Sequence, residues 1–161
     1  MCEGIKKHTS QLTSLEVSEI QKRLNNSKPK LSYHVKEQMI KRGISKEQVY
    51  NTLDEYEIIE FHRREDSNRK YIDNRVLIRN KKSIDSINTC ISISLDTGNI
   101  ITVYVNKKND KHKTLDNTNY CEDLDVLGCL NNKESLNYKN FIDSADLTFS
   151  IGSILGNFCY N

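Results

Sequence analysis

Two histidines and a group of arginines have the side chains that proton transfer and anion binding require. His34 falls at the expected start of a helix, where spare backbone N–H groups favour an anion, and an imidazole exchanges protons near neutral pH. Its plainer role is a helix cap or a partly buried hydrogen-bonding residue. His62 and Arg63 follow one another, with Arg64 and Arg69 close behind. Guanidinium groups grip oxyanions through a rigid fork of N–H donors, so this stretch could hold an anion beside a second imidazole. A solvated basic loop fits the same residues. Arg42 precedes Gly43, where it could bind an anion, stabilise a helix C-terminus or tie two helices together by a salt bridge. Thr102 and Tyr104 are two apart in a strand-like run, so their hydroxyls share one face, as ordinary solvent-facing alternation would also place them. Tyr71 offers a ring for stacking or for lying on a sheet.

The elements that must position these groups are partly readable. Thr13 and Glu16 form a capping box with Leu12 as staple, opening a short helix through Leu15, Val17, Ile20 and Leu24 that is expected to end before Asn25-Asn26. The ten residues ahead of it read as loose, and NNSKP reads as a linker. Ser32 caps a helix over 33–42, with Val35, Met39 and Ile40 inward and Gly43 as the stop. Ser45 and Gln48 open another over 46–53, with Val49, Leu53 and Tyr56 inward. A strand is expected over 57–62, then a charged turn over 63–70. Residues 71–79 read as two strands or one bent strand. Two alternating runs, 89–95 and 100–105, flank Asp96-Thr97-Gly98-Asn99 as a hairpin. Helices followed by antiparallel strands predict an α+β fold, with N-terminal helices packed on a four- or five-stranded antiparallel sheet and an additional C-terminal segment. The expected divisions are a 1–30 extension carrying a short helix, a 31–107 domain and a 108–161 acidic extension docked on it.

Charge is unevenly spread. Of 161 residues, 1–113 hold 22 of the 24 Lys and Arg against 15 acidic residues, a net +7, while 114–161 hold only Lys133 and Lys139 against seven, a net −5. The basic part could attract a polyanion, and the tail could cover basic surface or engage a partner. Leu147, Phe149, Ile151, Ile154, Leu155 and Phe158 make the tail's end too apolar for a merely solvated segment, and short helical turns are expected within 121–130 and 133–140. Five cysteines show no close paired spacing, so neither metal nor another cofactor is expected. Cys90 reads as a small core residue, Cys121 and Cys129 could bridge across a turn, and a reducing compartment is the default. No phosphate-loop or HExxH motif is present. No run approaches a membrane span, so no membrane partner is expected, and MCEGIKKHTS lacks the apolar stretch of an export signal.

The segment Leu31-Ser32-Tyr33-His34 through Lys41-Arg42-Gly43-Ile44-Ser45 resembles the start of a small, mostly bacterial family of unknown function, whose pattern is Ser-x-His, an amphipathic helix, then Arg-Gly-Ile-Ser. The resemblance continues to the strand Ile100–Val105 and covers about 31–105. That family resembles the RelE-like and barnase-like ribonuclease toxin superfold. The resemblance implies a metal-independent endoribonuclease in which the 2′-hydroxyl attacks the adjacent phosphate. His34, His62, Arg63, Thr102 and Tyr104 would then be catalytic, with Arg42, Arg64, Arg69 and Tyr71 holding RNA. It also implies a cognate immunity or antitoxin partner and a cytoplasmic site of action, with delivery inside a larger exported toxin as one route. The other functions open to the sequence are a noncatalytic nucleic-acid-binding protein and a protein-interaction or immunity module. Oligomeric state is left unassigned.

Overall fold

A computed structural model describes residues 4–107 and 120–131. The expectations for 133–140 and for the apolar ending from Leu147 to Phe158 lie outside the described residues. Within them the order is β1 (Gly4–His8), a 3-10 turn (Thr9–Gln11), α1 (Ser14–Ser27), β2 (Lys30–Leu31), α2 (Tyr33–Arg42), α3 (Lys46–Asp54), β3 (Tyr56–Glu65), β4 (Tyr71–Asn80), β5 (Ile87–Ser94), β6 (Asn99–Lys107) and α4 (Val126–Asn131). The fold is α+β. One six-stranded open sheet runs in the order β1-β3-β4-β5-β6-β2, antiparallel except where β2 joins β6.

Local chemistry sets the helix ends. Thr13, Ser32 and Ser45 each accept a backbone N–H from the third helical residue, and Glu16 and Gln48 close the boxes at α1 and α3. Gly43 takes a left-handed φ of 65° and ends α2 by donating to Met39 and Ile40 carbonyls. α1 runs through Asn25-Asn26 to Ser27, past the expected stop, because Leu24 is buried in its last turn and Lys28 supplies the left-handed cap. Ile20, Leu24, Val35, Met39 and Val49 pack against Phe61, Val76, Ile78, Ile91, Ile93, Ile100 and Val103, forming one core on one sheet face. Ile40 is not among them: it is 81% exposed, because Val35 and Met39 already define the inward stripe one turn apart. Thr52 takes the inward place beside Val49, while Leu53 and Tyr56 flank the core half-buried.

Three further expectations are corrected, and of the two alternatives for 71–79 the single strand is the one formed. The first residues are not loose: β1 pairs with β3 from Gly4↔Arg64 to His8↔Glu60. NNSKP is not a linker throughout: its first three residues end α1 and Lys28 caps it, and just after Pro29 the residues Lys30 and Leu31 join β6, which with β1 brings the sheet to six strands. β3 does not end at His62 but continues to Glu65, so Arg63 is a strand residue and the turn shrinks to Asp66–Arg69. Residues 71–80 form one continuous strand, held on both sides by β3 and β5. Beyond β6, Cys121, Leu124, Val126, Cys129 and Leu130 enter the same core, and Cys121 N–H donates to Lys6 at 2.8 Å. Cys121 is disulfide-bonded whereas Cys129 is a free buried thiol, so the two do not bridge each other. On the opposite sheet face, Ile59, Leu77 and Cys90 form a small second cluster against Tyr104.

Candidate functional site

α2 sets three polar side chains in a file. His34, Gln38 and Arg42 are four residues apart, so they align along one side of the helix. That side meets β6, the strand that β2 covers only at Asn99 and Ile100. Beyond Ile100 the edge of β6 is open to α2, and Arg42 Nη1 donates to the Val103 carbonyl at 2.5 Å. The guanidinium thus caps an edge strand that would otherwise present unpaired backbone groups. The same Nη1 lies 3.5 Å from Thr102 Oγ1. Thr102 Oγ1 donates to Gln38 Oε1 at 3.3 Å, and Gln38 Nε2 lies 2.8 Å from His34 Nε2. In this orientation the Gln38 amide donates to His34, which then accepts through Nε2 and carries its proton on Nδ1. His34 and Arg42 are exposed, and Gln38 and Thr102 are half-buried. The result is a hydrogen-bonded chain of imidazole, amide, hydroxyl and guanidinium, anchored at one end and open to solvent at the other.

The remaining candidates lie elsewhere. Arg63 faces the helix side of the sheet and is 1% exposed. Its Nε donates to Glu65 at 3.0 Å, and its guanidinium lies 4.7 Å from the Tyr71 ring centre. It is a buried pairing residue and presents nothing to an outside phosphate. Tyr71 is also engaged: its hydroxyl donates to Asp96 and accepts from Asn74 N–H. Burial and then Asp96 raise the phenol well above its ordinary range. His62 faces the other side of the sheet, opposite Lys6 on β1 and Arg75 on β4. Burial first, then Lys6, Arg64 and Arg75, lower its pKa to about 3, so it is neutral at physiological pH. Arg64 pairs with Asp73. Arg69 sits at φ 59° in the Asp66 turn, where Asp66 Oδ1 accepts from Asn68 and Lys70 N–H. Tyr104 packs on Ile59, Leu77 and Cys90.

The structure therefore brings together His34, Arg42 and Thr102, with Tyr104 two residues further along the same face of β6 but packed on the second cluster, and places His62, Arg63, Arg64, Arg69 and Tyr71 elsewhere. Gln38 is the member that residue type alone did not nominate; its signal is the four-residue spacing between His34 and Arg42. A hollow of about 490 Å³ at the far edge of the sheet, lined by His8, Tyr56, Arg79 and Lys81 among others, contains none of the cluster. Among the described residues no group of three or more His, Cys, Asp or Glu side chains is placed to hold a metal ion. No described helix is long and apolar enough to cross a membrane. No curated protein and no solved structure matches the chain. Residues 31–105, which carry all four members of the cluster, match the family described as Domain of unknown function (DUF4258).

Proposed function

We propose that this chain is a metal-independent endoribonuclease of toxin-like type, acting at the α2–β6 edge. The observation that carries the reading is the hydrogen-bonded file His34–Gln38–Thr102–Arg42. RNA cleavage by internal attack needs a group to take the 2′-hydroxyl proton and donors around the phosphate. His34 takes that proton as the 2′-oxygen bonds to phosphorus and the bond from phosphorus to the 5′-oxygen breaks. Water protonates the departing 5′-oxygen, since the cluster holds a single imidazole. Gln38 orients the ring and yields its place at Nε2 to the substrate hydroxyl. Arg42 is fixed through Nη1, and its other N–H groups face the phosphate oxygens. The net +7 of residues 1–113 favours approach of a polyanion.

The test is incubation of purified protein with total RNA in excess chelator, followed by mapping of ends. The reading expects 2′,3′-cyclic phosphate products from the wild type and none from His34→Ala. Equal cleavage by both removes His34 from the mechanism. The single imidazole also favours a second reading, a noncatalytic module that binds nucleic acid or protein at this edge. Tyr33 and Ile40 are 77% and 81% exposed on α2, two apolar side chains two turns apart beside the cluster that an immunity or antitoxin partner could cover. Salt-sensitive RNA binding without products, unchanged by His34→Ala, supports that reading.

A further inference from the structure

The sheet face opposite the helices carries a second polar arrangement that cleavage does not use. Lys6, His62, Arg75 and Ser94 stand directly opposite one another on β1, β3, β4 and β5, one cross-strand row. Adjacent strands are about 4.8 Å apart, so His62 and Ser94 each stand one strand spacing from Arg75, on either side of it. Two buried polar atoms in this row have no hydrogen-bond partner among the described residues: His62 Nε2 and Ser94 Oγ. Ser94 is only 1% exposed. Unsatisfied polar atoms inside a protein are costly, and two on either side of a guanidinium point to a shared missing acceptor.

The charges around the row agree. Arg75 donates to Asp73 through Nε at 2.7 Å, which leaves its terminal nitrogens for another acceptor. Arg64 reaches the same carboxylate through Nη1 at 3.4 Å, and Lys6 pairs with Glu60 at 3.2 Å. Tyr120 donates its hydroxyl to Glu60, and His8 stands opposite Glu60 with Nδ1 held by Ser10. Three cations thus face two carboxylates, an excess of one positive charge before any imidazole is counted. The side chains of Lys6, Arg64 and Arg75 are 18–25% exposed, so each of the three cations keeps part of its surface in solvent.

We infer that the row Lys6–His62–Arg75–Ser94, with Arg64 beside it, binds a phosphate-class oxyanion over Arg75 and takes up a proton on His62 as it does so. Burial, and then the three neighbouring cations, keep His62 neutral when the site is empty, with a pKa of about 3. An anion over Arg75 offsets those cations and accepts an N–H from the ring, so it favours the protonated form. Binding then consumes a proton and strengthens as pH falls. The inference is independent of the ribonuclease reading, because it requires no bond breaking and shares none of the four residues at the α2–β6 edge.

Sulfate, whose charge is constant across the range, is the probe, and the His62 ring resonances of the full chain are the readout. Sulfate should shift those resonances toward the imidazolium, with affinity rising by about tenfold or more between about pH 7.5 and about pH 5. Arg75→Gln should remove binding. Lys6→Gln, on the partly exposed edge strand, should weaken it several-fold, and His62→Gln should make what remains independent of pH. Sulfate that leaves the His62 ring unmoved, or that binds Lys6→Gln and His62→Gln as the wild type with no pH dependence, overturns the site. Competition separates the sources of the anion. Displacement of sulfate by a single-stranded oligodeoxynucleotide at lower phosphate concentration than inorganic phosphate supports the site with a phosphodiester as its ligand, and the reverse order supports it with free phosphate.

Discussion

Arg42 and Arg63 look alike in the sequence, each beside a glycine- or charge-rich turn, yet the fold uses them in opposite ways. Arg42 leaves α2 toward an open strand edge and ties down one nitrogen, with the rest of its guanidinium at the surface. Arg63 enters the sheet on its helix-packed face, where Glu65 and the Tyr71 ring surround it. The difference is a matter of register. Pairing of Arg63 with Asn74 and of Phe61 with Val76 puts both side chains on the core face, and one residue's shift would have turned Arg63 to solvent. A cation's neighbours in space, and not its neighbours in sequence, decide whether it serves stability or a ligand.

The largest effect should come from removing the buried cation. Arg63→Ala leaves Glu65 buried without its partner and should cost about 3–5 kcal/mol in denaturant unfolding. Replacing Arg63 and Glu65 together by methionines should recover most of that loss. If Arg63→Ala is as stable as the wild type, the contrast with Arg42 is broken. The next effect is on the acid side. His62 is held neutral in the fold, with a pKa lowered to about 3, so its contribution to stability is complete above the unfolded-state value of about 6.5 and is lost as pH falls from there toward about 3. The slope should be on the order of 1 kcal/mol per pH unit, flattened in His62→Gln and by saturating sulfate. Unfolding midpoints measured against pH decide it.

Arg42→Ala should cost only about 1 kcal/mol, since its bond to the Val103 carbonyl is one partly buried hydrogen bond. The same change should remove RNA cleavage, and Arg42→Lys should restore stability better than cleavage, because an ammonium lacks the fork. The smallest stability effect is expected at the most functional residue. His34→Ala should shift unfolding by less than about 0.5 kcal/mol, as an exposed side chain hydrogen-bonded to Gln38.

What could be read from the sequence was whatever short-range chemistry decides. Ser32, Gly43 and Ser45 fixed both ends of the helical hairpin, and the Gly98 turn between two alternating runs fixed β5 and β6. His34, Arg42 and Thr102 were nominated on type and position, and the fold joins them. The strands at the margins were not legible. β1 spells Gly-Ile-Lys-Lys-His, whose charged members find partners only once β3 and α1 are in place: Lys6 with Glu60 and Lys7 with Glu16. β3 looked finished at His62 for the same reason, since Arg63 and Glu65 neutralise each other inside the core. Gln38 is not legible in the sequence because an amide acquires a role only from what stands on either side of it, here His34 and Thr102.

The most direct test of the central claim is a paired measurement on His34→Ala: its unfolding curve and its products from total RNA in excess chelator. The account predicts an unfolding curve superimposable on the wild type's and no cyclic-phosphate ends, where the wild type yields them. A folded His34→Ala that cuts RNA as the wild type does would contradict it.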